Sequence, residues 1–514
     1  MSGSPRPAVV DGQGGTGRAG EAGPPDRPDP GPAWLPLIPA LVTLLFGLYQ
    51  IQRPSFTRDE SATLAAVHRS FPQLVRMLGT VDVVHGLYYA LIWAVVRVGG
   101  PGEFVVRLPS AVALAVAAAL VTALGRRLVS LWAGLAAGLV FAVLPSVSWF
   151  AETAREGAVV AALGTLASYC LVRVLQAETA RRRTMIAYGV SLAVLGLANL
   201  FGLLIVVAHA VTLACVRRRY RVGRGLALGW LTAVVGAVIV VSPVAVAGYG
   251  QLHQIHWLKP PGLKDVLSVQ RIVGPSSLLF LLTVVICLAG VAVSAAAGRS
   301  RLPRNWPAGL VALCLPWLIL PPVILLVASL AHPVYTYRYI VYCIPAAALL
   351  IGAAVAALGR YAGPVAVVLI LVAGLHIQLA QRRPDGHGIN IRAANRIVAR
   401  HMEPGDALLN VSAQTGPRKG SGERTLEAAY PDGLARLRDV SAGVSPQQSG
   451  TLGGTYAPAP VVRQRLAGVR RLWVVEWTTP KPVLVLRGLG FTLVHRWEVK
   501  GQLWVRLFIA RSHR

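Results

Sequence analysis

Residues 33–60 read "AWLPLIPALVTLLFGLYQIQRPSFTRDE". The apolar run over 34–51 has the length a membrane-spanning helix needs, roughly 17 to 25 residues. Nine residues beyond Gln50 come two adjacent carboxylates, Asp59 and Glu60. A chain that places charge this close to an apolar boundary needs a reason, and the rest of the sequence supplies the setting.

Apolar runs of the same kind recur over the first three quarters of the 514 residues. Hydrophobic residues make up 54% and charged residues only 14% of the chain, against about 25% charged in a typical soluble domain. The chain therefore reads as a polytopic α-helical membrane protein. The net charge of +29 comes largely from arginines clustered between apolar runs. Loop charge that sets membrane topology explains those clusters, so nucleic acid is not expected as a partner. The five cysteines all lie in apolar segments without close pairing and read as small core residues, giving neither a disulfide framework nor a zinc site.

Residues 1–33 are rich in Gly, Pro and Ala and are expected to form a disordered cytoplasmic tail. They lack the features of a cleaved signal peptide, so the first apolar run is expected to be a retained anchor. Basic short loops stay cytoplasmic. Placing Arg126–Arg127, Arg181–Arg183, Arg217–Arg219, Arg299–Arg304 and Arg360 inside predicts about eleven spans: 34–51, 104–124, 130–149, 157–176, 185–198, 200–216, 225–247, 276–297, 308–330, 340–358 and 363–380. The segment 86–98 is short and carries Tyr88, Tyr89 and Trp93, so it is read as a surface helix within an external loop, 52–103.

Between residues 31 and 380 there are eight acids: Asp59, Glu60, Asp82, Glu103, Glu152, Glu156, Glu178 and Asp265. On this topology all but Glu178 face outward and none sits in mid-span. Ion-coupled transporters keep ionisable groups near the midplane. Here only His209 and His376 are expected there. The pattern suits an enzyme working at the outer boundary on a lipid-borne substrate, with a lipid or polysaccharide transporter as the competing reading.

The candidate residues fall in separate stretches. Asp59 and Glu60 either cap a helix at "SATLAAVHRSF" or act chemically; partial desolvation would raise a carboxyl pKa towards that of a general base. "DVVHGLYYAL" (82–91) offers Asp82 and His85, with Tyr88 in the surface helix that follows, and "WFAETAREGAVV" (149–160) offers Glu152 and Arg155. The latter two either pair on one helix face or leave Arg155 for a phosphate. "AHPVYTYRYIVY" (331–342) brings Arg338 between Tyr337 and Tyr339, read as an aromatic-belt anchor or a phosphate contact. His253 and His256 are three apart, a weak metal signal without a nearby acid; metal residues stay unassigned and a divalent cation stays open.

Taken in order, "RDE" (58–60), "HGLYY" (85–89), "RLPS" (107–110), "FAETAR" (150–155) and "YRY" (337–339) resemble the motif series of the GT-C glycosyltransferases that use polyprenyl-phosphate sugars. The closest likeness is to protein O-mannosyltransferases, the lipid A aminoarabinose transferase and actinobacterial mannosyltransferase relatives, over roughly residues 34–380. The resemblance implies Asp59 as the base for the acceptor hydroxyl, with Glu60 assisting or positioning it. It implies Arg155 and Arg338 on the donor phosphate, with His85, Tyr88, Tyr337 and Tyr339 around the substrate. The implied partners are a polyprenyl-phosphate sugar donor, a protein, glycan or lipid acceptor, and the bilayer. Two departures stand out. His-Gly replaces Pro-Pro before Leu-Tyr, and Glu156–Gly157 replaces Pro-Tyr after the arginine, which keeps an inactive scaffold as a further alternative.

Residues 381–514 turn polar, and alternating helix and strand patterns predict an external α/β domain. Helices are expected at "NIRAANRIVARHM" and "APVVRQRLAGV", strands at "DALLNVS", "RLWVVEW", "FTLVHRW" and "LWVRLFI", and a long loop over 411–458. The expected localisation is a multi-pass cell-membrane protein with site and C-terminal domain outside the cytoplasm.

Overall fold

The computed structural model describes residues 32–177, 181–218, 220, 222–255, 258–296, 306–410, 423–477, 486, 488–500 and 503–511. The expected N-terminal tail and Glu178 lie outside these residues, as does the whole of the basic run 297–305.

A short apolar helix α1 (Leu37–Leu48) leads into a helical layer of α2 (Arg58–Val67), α3 (Phe71–Leu78) and α4 (Gly86–Gly99). The bundle continues with α5 (Glu103–Leu128), α6 (Leu131–Val143), α7 (Pro145–Ala151), α8 (Gly157–Gln176), α9 (Arg181–Ala198), α10 (Ile205–Val216) and α11 (Arg224–Tyr249). After a short α12 (Leu263–Leu267) come α13 (Ser277–Ala296), α14 (Trp306–Ala331), α15 (Ile344–Ala357) and α16 (Gly359–Gln381). Every stretch expected to span is helical. Among the described residues, however, seven helices are long and apolar enough to cross a bilayer, or eight if the bent pair α6–α7 counts as one span. The helix α1 is short, α9 opens on three arginines, and α10 follows a 3-10 turn.

The bend between α6 and α7 is 62° and falls where Leu144 takes an extended conformation before Pro145. Proline lacks the N–H an uninterrupted helix requires and restricts the residue before it. This break turns the chain so that residues 152–156 form a tight connection rather than the helical turn the sequence suggested. Elsewhere the bundle closes through small residues: a Cβ on Gly352 of α15 would lie 2.2 Å from Ala137 Cα of α6, so only glycine permits that approach.

The C-terminal unit contains α17 (Ile391–His401), α18 (Pro446–Ser449) and α19 (Ala459–Leu466) around a five-stranded sheet. Its strands are β1 (Ala407–Asn410), β2 (Arg438–Asp439), β3 (Arg471–Trp477), β4 (Phe491–Val499) and β5 (Leu503–Ala510), in the order β2-β1-β3-β5-β4. The strand β1 pairs in parallel with β2 and β3; β5 is antiparallel to β3 and β4. All four predicted strands and both predicted helices are present. Part of the expected loop, 411–422, lies outside the described residues, and the rest contains β2, α18 and short 3-10 turns.

The two faces of the sheet go to different cores. Leu472, Val474 and Ala407 pack under α19 with Val462 and Leu466. Trp473, Val475 and Val505 point the other way and share one core with Phe56, Leu64, Val67, Leu74 and Tyr89 of the α2–α4 layer. The external loop of the sequence reading is thus a folded layer clamped between the bundle and the C-terminal sheet.

Candidate active site

The layer begins with a capping box. Thr57 Oγ1 accepts the Glu60 amide (3.2 Å), while Glu60 Oε2 accepts the Thr57 amide (2.9 Å). Helix α2 therefore starts at Arg58, ahead of the expected start, and both acids sit in its first turn. Adjacent helical residues point about 100° apart, so the two carboxylates diverge.

Glu60 turns inward and is fully buried. Arg107 of the "RLPS" motif meets it through Nε (2.8 Å) and Nη2 (3.0 Å), and the Ala154 amide donates to it at 2.9 Å. The same guanidinium binds the carbonyls of Ile51, Pro54 and Ser55. Burial raises the Glu60 carboxyl pKa, but the Arg107 pair outweighs it and holds it below the ordinary value. Glu60 is sealed from solvent; it ties α2 to α5 and to the 152–156 connection.

Asp59 turns outward, its side chain 38% exposed, and pairs with Arg338, 53% exposed. Burial pushes the Asp59 carboxyl up, yet Arg155 and Arg338 together bring it below the usual carboxylate value. The sequence argument for a raised pKa is thus corrected: two guanidinium charges exceed the desolvation effect.

Arg155 is the hub of a second group. Its Nη1 donates to Tyr89 Oη (3.3 Å), its Nη2 approaches His85 Nε2 (3.2 Å) and its Nε lies 3.5 Å from Glu156 Oε2. His85 Nδ1 is 3.4 Å from that same oxygen. Tyr89 Oη donates to Asp82 Oδ2 at 2.7 Å, with Asp82 in a left-handed conformation, φ 58°. Burial pushes the Glu156 carboxyl up, but His85 and Arg155 hold it well below the ordinary range.

Asp59, Arg338, Arg155 and His85 thus converge. Tyr88 does not: at 2% exposure it packs in the layer's core, and its neighbour Tyr89 meets Arg155 instead. Tyr339 packs against Phe201 in a tilted pair at 4.9 Å, and Arg271 covers the Tyr337 ring at 4.7 Å. Glu152 and Arg155 do not pair. Glu152 is buried facing Arg382 (3.1 Å) and His387 (3.5 Å), which join α16 to the C-terminal unit. His253 and His256 fall outside the described side chains, and among the described residues no group of three metal-ligating side chains occurs.

Glu156 and Arg107 were absent from the sequence-derived site, and Asp82, read beside His85, was given no role there. Glu156 had a visible signal, since it stands beside Arg155 where the resembled pattern has proline. The neighbouring departure also has a physical reason: a Cβ on Gly157 would lie 2.9 Å from the Phe150 ring.

Residues 85–246 match the dolichyl-phosphate-mannose-protein mannosyltransferase family. The structure of ArnT from Cupriavidus metallidurans in the apo state superposes with a TM-score of 0.60 at 15% identity, over 92% of this chain and 97% of that one. The chain has the fold of ArnT. ArnT bound to undecaprenyl phosphate gives a TM-score of 0.58 at 16% identity, over 92% of this chain and 97% of its own. Arabinofuranosyltransferase AftD from Mycobacteria gives 0.50 at 15% identity, over 93% of this chain and 40% of the larger AftD. No curated protein matches in sequence. ArnT and AftD share the helical bundle that here carries the Asp59–Arg338–Arg155 group.

Proposed function

We propose that the chain transfers a sugar, mannose by the family it matches, from a polyprenyl-phosphate donor to an acceptor hydroxyl, with inversion at the anomeric carbon. The observation that carries this reading is a half-open carboxylate, Asp59, set against two arginines, Arg338 and Arg155, at one end of a membrane bundle. A solved structure of similar fold holding undecaprenyl phosphate supports the donor class.

The acceptor oxygen attacks the anomeric carbon while Asp59 takes its proton. The bond to the phosphate oxygen breaks on the opposite face, and its electron pair leaves with the polyprenyl phosphate. Arg155 and Arg338 stabilise that anion. The same arginines depress the Asp59 pKa. A donor phosphate that engages them shares their charge, so Asp59 becomes more basic when the donor is bound. Glu156 keeps His85 and Arg155 in place.

Sidedness follows from charge. The turns after α5 and α15 and the starts of α9 and α11 carry Arg126–Arg127, Arg360, Arg181–Arg183 and Arg224, at the bundle end away from Asp59. Short basic loops stay cytoplasmic, so the reading puts the site and the C-terminal sheet outside, with eleven crossings. The transporter alternative has less support: His209, the buried mid-span histidine, is held by Ser168 (3.1 Å) and Tyr188 (3.0 Å) as a satisfied core residue.

The test is turnover of polyprenyl-phosphate mannose by purified protein in nanodiscs with envelope glycan or protein extract as acceptor. Asp59→Asn should lower it at least about 100-fold, the scale of a lost general base, while thermal unfolding stays near wild type. Unchanged turnover would remove the mechanism.

A further inference from the structure

A cavity lies at the end of the bundle opposite Asp59. It is a furrow of about 710 Å³ between α9 and α11, with Arg181 and Arg182 at one end and Val240 at the other. From Gly225 to Val240 it follows fifteen residues of helix, about 22 Å at 1.5 Å per residue. That exceeds one leaflet of a hydrocarbon core about 30 Å thick.

The helices touch on one side of the furrow and part on the other. A Cβ on Gly189 would meet Ala233 at 3.3 Å, and one on Gly196 would meet Val241 at 2.7 Å, so these glycines serve close helix contact. Gly225 and Gly236 are different: a Cβ at either would meet nothing within 4 Å, and at Gly229 only Met185 comes near, at 3.7 Å. Their spacings of four and seven residues place all three on one helix face. Helix packing does not require glycine there, although glycine is a poorer helix former than alanine. The walls are otherwise apolar, with Ile186 and Val190 half exposed.

The mouth is cationic. Arg181 and Arg182 are exposed at the start of α9, and Arg224 is exposed at the start of α11. No Asp or Glu occurs between residues 181 and 249. The parallel helices α9 and α11 also present their positive ends here. An apolar trough about a leaflet deep, capped by paired guanidinium groups, complements one kind of molecule.

We propose that the α9–α11 furrow binds an anionic diacyl phospholipid of the leaflet opposite the candidate active site. One acyl chain lies along Gly225, Gly229 and Gly236, and the headgroup phosphate meets Arg181 and Arg182. This site is separate from the donor site and does not rest on the transfer reaction.

Protein reconstituted in nanodiscs of mixed phosphatidylglycerol and phosphatidylcholine, then released for native mass spectrometry, should retain one phosphatidylglycerol in preference to phosphatidylcholine. Arg181→Gln/Arg182→Gln should cut that retention at least tenfold. Gly229→Leu/Gly236→Leu, which fills the trough, should do the same. Arg217→Gln/Arg218→Gln, outside the furrow, should leave retention unchanged. Equal retention of both phospholipids, indifference to the Arg181/Arg182 change, or displacement of the phospholipid by added undecaprenyl phosphate would each overturn the assignment. Should the leucine variant fail to fold, as read by thermal unfolding, the arginine pair decides alone.

Discussion

Asp59 and Glu60 are chain neighbours with opposite fates. One faces the cleft; the other is sealed against Arg107. Removing one partner of a buried ion pair leaves an uncompensated charge and costs about 3–5 kcal/mol. Glu60→Gln is therefore expected to lower the thermal unfolding midpoint sharply, whereas Asp59→Asn, in a half-exposed pair, should barely move it. The acid response separates them further. Glu60 has a folded pKa below its ordinary value of 4.5, so the folded state favours the charged form more than the unfolded chain does. Its stabilisation is complete above that value and is lost as pH falls below it towards the folded pKa. Wild type should lose stability across that acidic window, measured by thermal unfolding in detergent, and Glu60→Gln should show a flatter profile. Equal midpoints for the two variants at neutral pH would refute the division of labour. This division was partly legible: "TRDE" has the Ser/Thr-x-x-Glu spacing of a capping box, which assigns Glu60 to the backbone and frees Asp59. Arg107 as the buried partner was not legible, since the pair spans forty-seven positions and depends on how α5 packs.

At the scale of elements, the helices and strands were written in apolar periodicity and turn residues, and they form where expected. What periodicity could not give is how non-adjacent elements meet. The chain entering α2 is held by the C-terminal unit. Tyr430 Oη accepts the Phe56 amide (3.0 Å) and donates to Glu103 Oε1 (2.8 Å). Arg392 binds that same carboxylate and donates to the carbonyls of Gln52 (2.8 Å) and Arg53 (3.0 Å). Burial and the Glu103 charge push the Tyr430 phenol up to about 12, so it stays a neutral donor at any physiological pH. Tyr430→Phe leaves an amide and a carboxylate short of a partner, at a cost of about 1–3 kcal/mol. The expected signature is local: faster hydrogen exchange over residues 53–60, with the interior of α5 and α15 unchanged. Uniform acceleration, or none, would show that the hook does not hold this segment.

At the scale of the whole molecule, the C-terminal unit has two possible roles, acceptor recognition or a stabilising cap, and the shared core bears on the choice. Leu64, Val67, Leu74 and Tyr89 of the α2–α4 layer are buried together with Ile391, Leu426, Trp473 and Val505. Each large side chain left exposed forfeits about 1.5–3 kcal/mol, and several lie on this surface. The layer also depends on Arg69, which reaches the Thr451 and Leu452 carbonyls. Removing residues 391–514 keeps Arg382 and His387 on Glu152, so the bundle-side anchor survives while the shared core is opened. The spans should remain inserted, because their own core is a separate cluster. Residues 53–99 should become protease-sensitive, and transfer should vanish even towards a minimal soluble acceptor. Acceptor recognition alone predicts a different outcome: an intact, protease-resistant 53–99 layer that still cleaves donor slowly with water as acceptor. The two results differ in the state of the layer carrying Asp59, so limited proteolysis with donor turnover on the same sample decides between them.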